Sequence, residues 1–236
     1  MNINATAALP SANFTPSSPT TSISLDGLQE IATKRISAMD YLRRVHEGRT
    51  HWFNTILLSK EELERIYDDP KNARRAVGFL VLGLSIANLV ELQTSNTDLL
   101  KNFLVLLNEH EDFTNDNKPK MRNFFRAGAR MTRRDSEAGS VDEQIYTHLQ
   151  TMNIPFQPDF FQVFSTLCDV LIEVYCKILN TSPPDTSTLQ FDLFQKFDAR
   201  IRKLLTGVIK DVDVLARNLI HSELLIVERM GCPVVM

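Results

Sequence analysis

The stretch Lys118 to Arg134, KPKMRNFFRAGARMTRR, carries seven basic residues and no acidic one. The other 19 basic residues of the chain stand against 29 acidic ones, a balance of −10, so this division says more than the formal net charge of −3. On a helix, Arg122, Arg126, Arg130 and Arg133 share one side, and Met121, Phe124, Phe125 and Ala129 share another. A basic amphipathic segment with aromatic residues can lie on an anionic membrane or grip an acidic partner. Lys118, Lys120, Arg122, Phe124, Phe125, Arg126, Arg130, Arg133 and Arg134 are therefore the candidate contact residues. Arg133-Arg134-Asp135-Ser136 has the R-R-x-S pattern favoured by basophilic kinases. A phosphate on Ser136 would place about −1.5 to −2 charge beside the arginines. A single patch on an acidic protein, without a recognisable nucleic-acid fold, argues against nucleic acid as its ligand.

Other residue patterns that could do chemistry fall short on spacing. His46-Glu47 followed by His51 resembles a zinc-protease helix, but that motif needs histidines at i and i+4. Here the spacing is five, with Gly48 between. Asp169 and Glu173 lie one turn apart on the polar stripe of an apolar helix. Bundle metal sites would add Glu-x-x-His motifs, and this chain has none. No G-x-S-x-G, phosphate-binding loop or dinucleotide glycine fingerprint occurs. Cys168, Cys176 and Cys232 are an odd count, and the first two are eight residues apart on one helix, too far for a disulfide. Buried free thiols in a reducing, cytoplasmic setting are the expectation. Cys232 misses the prenylation position by one residue. The expectation is thus no catalytic residue, no metal and no cofactor.

The elements that must position the basic segment read as helices. Asp159 to Leu179 is apolar on most sides, with Gln162, Ser165, Thr166, Asp169, Glu173 and Lys177 on one narrow stripe. A helix of that kind has to be surrounded by others. Pro158 fits a first helical position, which needs no backbone donor. Residues 1–23 hold no charge and are rich in Ser, Thr, Pro, Ala and Asn, the composition of a disordered tail. Ser24 can cap a helix from Leu25 to Glu47, ended by Gly48. THWFNTILL, with the only tryptophan, suits an extended leg docked on helices. Ser59-Lys-Glu-Glu62 is a capping box with Leu58 and Leu63 as a hydrophobic staple, opening a short helix to Tyr67. Helices follow over Lys71–Leu92 and Leu99–Glu111. In the first of these Gly78 and Gly83 permit close helix approach.

Residues 113–139 change composition and read as a flexible basic insertion. Ser140-Val-Asp-Glu143 is a second capping box, opening a helix through Met152. Ser187-Thr-Leu-Gln190 is a third, opening a helix from Thr188 to Met230 that packs on the bundle. Within it Asp198 with Arg202, and Asp213 with Arg217, are i,i+4 pairs. The longest charge-free apolar run, Ala76 to Val90, is short for a bilayer span. No charged leader or apolar signal core precedes Lys34.

The sequence therefore predicts an all-α, irregular multi-helix bundle of about six helices. The expected organisation is a disordered tail at 1–23, one helical domain over 24–231 with the basic insertion, and a C-terminal tail at 232–236. The expected function is that of a non-enzymatic adaptor or scaffold binding other proteins, regulated through the basic loop. A peripheral membrane or trafficking factor is the alternative, and an enzyme without a recognisable motif comes third.

Overall fold

The computed structural model describes residues 20–68, 70–92, 94–127, 146–182 and 187–231, with backbone alone at 20–25, 116–127 and 230–231. Six helices appear among them: α1 Thr20–His46, α2 Lys60–Tyr67, α3 Pro70–Glu91, α4 Asn96–Ala127, α5 Phe160–Thr181 and α6 Thr188–Gly231. The fold is all-α, as the periodicity predicts. The principal contacts run α1–α5–α3–α4–α6 and back to α1, a closed ring of five helices, with α2 against α6.

Local chemistry explains where several helices start and stop. Ser59 forms the expected capping box: its hydroxyl accepts from the Glu62 N–H at 3.2 Å, and the Glu62 carboxylate accepts from the Ser59 N–H at 2.8 Å. Leu58 and Leu63 are fully buried beside it. Asp159, and not Pro158, is the boundary residue of α5; its carboxylate accepts from the Phe161 N–H at 2.9 Å. Gly48, at φ 69°, ends α1. At the start of α6 only half of the expected box forms. The Ser187 hydroxyl accepts from the Gln190 N–H, but the Gln190 amide donates to Ser182.

The core is continuous across the ring. From α5 it takes Phe160, Phe164, Leu167, Leu171, Val174 and Ile178; Gln162, Thr166, Asp169 and Glu173 are exposed, as a solvated stripe requires. Lys177 does not lie along α5 toward Glu173. Its ammonium donates to the Val90 carbonyl at the end of α3, where last-turn carbonyls lack helical partners. Gly78 of α3 does lie close to α4: a methyl there would stand 3.2 Å from Thr114 Cγ2 and 3.4 Å from His110 Nε2. Gly83 has ordinary room, 3.8 Å to Leu167 Cδ1.

Three expectations change. The Trp52 segment is a tight reversal, not an extended leg. Phe53 and Asn54 both have positive φ (43° and 57°), the Thr55 N–H donates to the Trp52 carbonyl, and Trp52 bridges Ile56. Two consecutive positive-φ residues suit a two-residue reversal between antiparallel segments. Trp52 is buried and stacks on Tyr41 of α1. Second, α4 does not end at Glu111. It buries Phe113 and runs to Ala127, through Pro119. Third, residues 146–159 are irregular where a helix to Met152 is predicted. Their backbone donors are taken by other groups: the Glu109 carboxylate accepts from the N–H groups of Thr147, His148 and Leu149 at 2.6–2.9 Å, and the Ser85 hydroxyl from that of Gln150. Burial works against the charged Glu109 carboxylate, but these donors hold its pKa below the usual value. Of the predicted tail at 1–23, residues 1–19 lie outside the described residues, whereas 20–23 belong to α1, which begins at Thr20 and not at Leu25. The Ser140 capping box, Cys232 and the tail at 232–236 also lie outside the described residues.

Asp198 is the largest departure. It is only 5% exposed and is not paired along the helix with Arg202. Its carboxylate accepts from Arg35 of α1 through two bonds, 2.8 and 3.1 Å, and from the Tyr175 hydroxyl of α5 at 2.8 Å. Asp213 and Arg217 do form the expected pair, at 2.8 Å. Removing one partner of a buried ion pair strands the other charge, at about 3–5 kcal/mol. A surface pair is worth about 1 kcal/mol or less. In urea denaturation, Arg35→Met is expected to cost the former and Arg202→Met no more than the latter. Equal losses would return Asp198 to the surface.

Candidate functional site

Most interior polar groups are committed to structure. His46 is buried at the end of α1, with Nδ1 2.7 Å from the Leu42 carbonyl and Nε2 2.9 Å from the Tyr67 hydroxyl. Nδ1–H donating to Leu42 leaves Nε2 to accept from Tyr67. Burial lowers the His46 pKa, and the Leu42 bond opposes it only partly. Burial likewise raises the Tyr67 hydroxyl. Tyr67 stacks on Phe160 at 3.9 Å between centroids, and His46 lies 4.8 Å from Phe164. A neutral imidazole and a protonated phenol packed among these rings hold α1, α2 and α5 together. The Tyr175 hydroxyl is raised well above its ordinary value by burial and by the Asp198 carboxylate. Cys168 is buried, which pushes its thiol up to about 12 and makes it a poor nucleophile. Among the described residues, no three His, Cys, Asp or Glu side chains are grouped to hold a metal.

The open site is a cleft of about 680 Å³ between α3, α4 and α6. Five cationic residues line it: Lys71, Arg74 and Arg75 from the first turns of α3, and Arg200 and Lys203 from α6. Glu111 of α4 is the acidic lining residue, bridging Arg200 at 2.9 Å and Lys203 at 2.5 Å. The Lys203 hydrogen bond leads in holding its carboxyl below the usual range. Arg75 crosses to α6, donating to Asp211 at 2.5 Å and to Asn72 at 3.2 Å. Its guanidinium lies 5.9 Å from the Phe79 ring centre and 6.0 Å from that of Phe160. Gly207 makes that crossing feasible, because a methyl on it would stand 2.5 Å from Arg75 Nη2. Phe79, Leu107 and Leu204 supply apolar walls.

His110 also lines the cleft. It is buried, and its Nε2 faces Gly78 without a well-formed hydrogen bond. Burial lowers its pKa to about 4.

The predicted basic contact is split. Lys118, Lys120, Arg122, Phe124, Phe125 and Arg126 lie on the α4 backbone, beyond the cleft along the same helix. Arg130, Arg133, Arg134 and Ser136 lie outside the described residues. The cleft cations escaped sequence reading because each is an ordinary helix-surface charge. Lys71, Arg74 and Arg75 are at i, i+3 and i+4, but Arg200 and Lys203 join them only through the packing of α4 between α3 and α6.

A second exposed feature is the end of α6. Its buried residues stop at Ala216, and every residue from His221 to Arg229 is exposed. Leu224, Leu225, Ile226 and Val227 are 57%, 40%, 55% and 63% exposed. α3 is long and apolar enough by composition to cross a bilayer, yet half of its apolar window is buried against the other helices.

The buried His110 gives a pH dependence with a definite sign. A histidine whose pKa falls from 6.5 to about 4 on folding takes its proton first in the unfolded state. Stability is therefore complete above about pH 6.5 and declines as the pH falls toward 4, by about 3 kcal/mol in total. Urea midpoints from pH 7 to 4 are expected to fall in the native protein and to fall less steeply in His110→Gln, where the buried His46 and Glu109 still contribute. Parallel curves for the two would place the proton uptake elsewhere.

No protein-family model matches the chain, and comparison with curated proteins and with solved structures finds no significant match.

Proposed function

We propose that the chain is a non-enzymatic helical adaptor that docks a partner protein through the free end of α6. The observation that carries this reading is the apolar exposure of Leu224 to Val227 beyond the last buried turn. Four consecutive apolar residues at 100° intervals cover most of the circumference of a helix. A paired coiled coil would need only a seam of a and d positions. A helix apolar on most sides fits a groove with several walls, the helix-in-groove mode of recognition. The occupant is thus a partner protein with an apolar groove. The commitment of His46, Tyr67, Tyr175, Asp198 and Glu109 to structural bonds supports the non-enzymatic part. Phosphorylation of Ser136 fits the same reading as a regulatory charge beside the basic segment.

A photo-cross-linking side chain in place of Leu225 is expected to capture one recurrent protein in cells. That protein, once purified, is expected to bind the native chain and to lose at least about tenfold in affinity for Leu224→Glu/Val227→Glu. The double variant should melt as the native protein does, because both side chains already face water. Cross-links only to a second copy of the chain, or equal affinity for the double variant, would sink the proposal.

A second reading is favoured by the continuation of α4 to Ala127. It puts Lys118 to Arg126 on a helix, the form in which a basic Phe-containing segment lies on anionic lipid. Co-flotation with phosphatidylserine liposomes is then expected, and Arg122→Glu/Arg126→Glu should abolish it. Flotation that the variant leaves intact would remove this role.

A further inference from the structure

We infer that the partner protein that takes the free end of α6 also receives the tip of the Trp52 reversal, with Phe53 as a second anchor. The inference rests on the reading of that free end as a docking site. Area is the first argument. Leu224 to Val227 are each about half exposed. Four such side chains supply roughly half of the ~800 Å² that each partner gives to a stable interface. The contact surface must therefore continue beyond the end of the helix.

The backbone of the reversal is the second argument. Phe53 has φ 43° and Asn54 has φ 57°. A bulky ring seldom sits on positive φ, and glycine or asparagine is the usual choice in such a turn. Burial does not repay the strain. Phe53 has an edge contact with Trp52 at 4.7 Å and a tilted one with Tyr41 at 6.4 Å, yet it remains 66% exposed. Leu57, just past the Trp52–Ile56 bridge, is 48% exposed. The reversal could bury Trp52 with any residue at its tip. Strain of this kind collects at binding sites, where the displayed group is the gain.

The tip is also held rigid. The Tyr41 hydroxyl accepts from the Phe53 N–H at 2.7 Å and donates to the His51 carbonyl at 3.1 Å. The Thr55 hydroxyl donates to the Trp52 carbonyl at 2.6 Å, and Trp52 stacks on Tyr41 at 5.9 Å. An aromatic side chain on a fixed backbone has little freedom left to lose on binding, the property of a hot-spot residue.

Placement joins the tip to the free end of α6. Trp52 Nε1 lies 3.4 Å from Asp213 Oδ1, so the base of the reversal stands against α6 at that residue. Ile220, Leu224 and Val227 follow Asp213 by seven, eleven and fourteen residues. At 3.6 residues per turn all three come round to its side of the helix, with Leu224 about 16 Å farther along the axis. Val214, 58% exposed, and Leu225 are likewise eleven residues apart. An apolar side of α6 thus leads from the tip to the free end. The partner that fits has an apolar groove for the helix and, at its rim, a pocket for a phenyl ring.

Cross-linking from two positions of the full chain tests this in cells. Benzoylphenylalanine in place of Phe53, and separately of Leu225, is expected to capture the same protein. That protein, purified, is the probe for titration calorimetry. Phe53→Asn is expected to weaken its binding at least about tenfold. The same variant should melt within about 4 °C of the native protein, because asparagine tolerates the positive φ. Leu92→Asn, which removes a comparably exposed apolar residue just after α3 (51% exposed), should bind as the native chain does. If Phe53→Asn melts early, Leu57→Gln takes its place, since it leaves the turn residues untouched. Capture from position 225 alone overturns the inference and leaves the docking role of α6 standing; capture from neither removes both. A different protein captured from position 53, native affinity in Phe53→Asn, or an equal loss in Leu92→Asn each overturns the inference as well.

Discussion

Asp198 brings a carboxylate into the interior, and the arrangement of three helices follows from satisfying it. A buried charge without partners costs several kcal/mol, more than most side-chain contacts return. Arg35 supplies a two-pronged guanidinium from α1, and Tyr175 supplies a hydroxyl from α5. All three groups must arrive together, because any two leave a donor or acceptor stranded. The register of α6 against both neighbours is thereby fixed to within a hydrogen bond. Phe194 and Phe197, both just before Asp198 on α6, and Phe103 of α4 pack rings against Tyr175 or against one another. The apolar packing could tolerate some sliding of one helix on another; the carboxylate does not.

The fold was legible where the period of apolar residues is long. α3, α5 and α6 start and stop within a few residues of their predicted positions, because burial of a wide apolar stripe decides them locally. The capping box at Ser59 was legible for the same reason: its partners are three residues apart. What could not be read depends on residues far apart in the chain. Asp198 and Arg202 have ideal spacing for a surface pair, and only the position of α1 redirects Asp198 to Arg35, 163 residues away. Residues 147–149 follow a strong helix-start signal, yet their N–H groups are claimed by Glu109, 38–40 residues earlier. A composition change at Phe113 suggests a loop, although α4 continues through it.

The candidate sites divide along the same line. The exposed end of α6 is written in four consecutive residues, but periodicity alone does not tell where the bundle stops covering a long helix. The cleft has no sequence signature because its cations on α3 lie more than a hundred residues from those on α6. Its glycines are equally mute: Gly207 matters only because Arg75 crosses α6 at that point. The basic segment drew attention because its charges are contiguous, and contiguity is visible without a fold.

The clasp of Glu109 on Thr147, His148 and Leu149 has a topological effect. It joins the two ends of a 38-residue excursion, so whatever path that excursion takes, it leaves and returns at one point. From Glu109, α4 runs outward for 18 more residues to Ala127, about 27 Å at 1.5 Å per residue, and residues 128–145 are long enough to come back. Closing a loop costs only about 0.6 kcal/mol more for each doubling of its length. The closure cost itself therefore changes little with insertions or deletions beyond the α4 residues that line the cleft. A chain cut once within it would still be held as one particle, because the clasp and the helix packing bind both fragments on either side of the break.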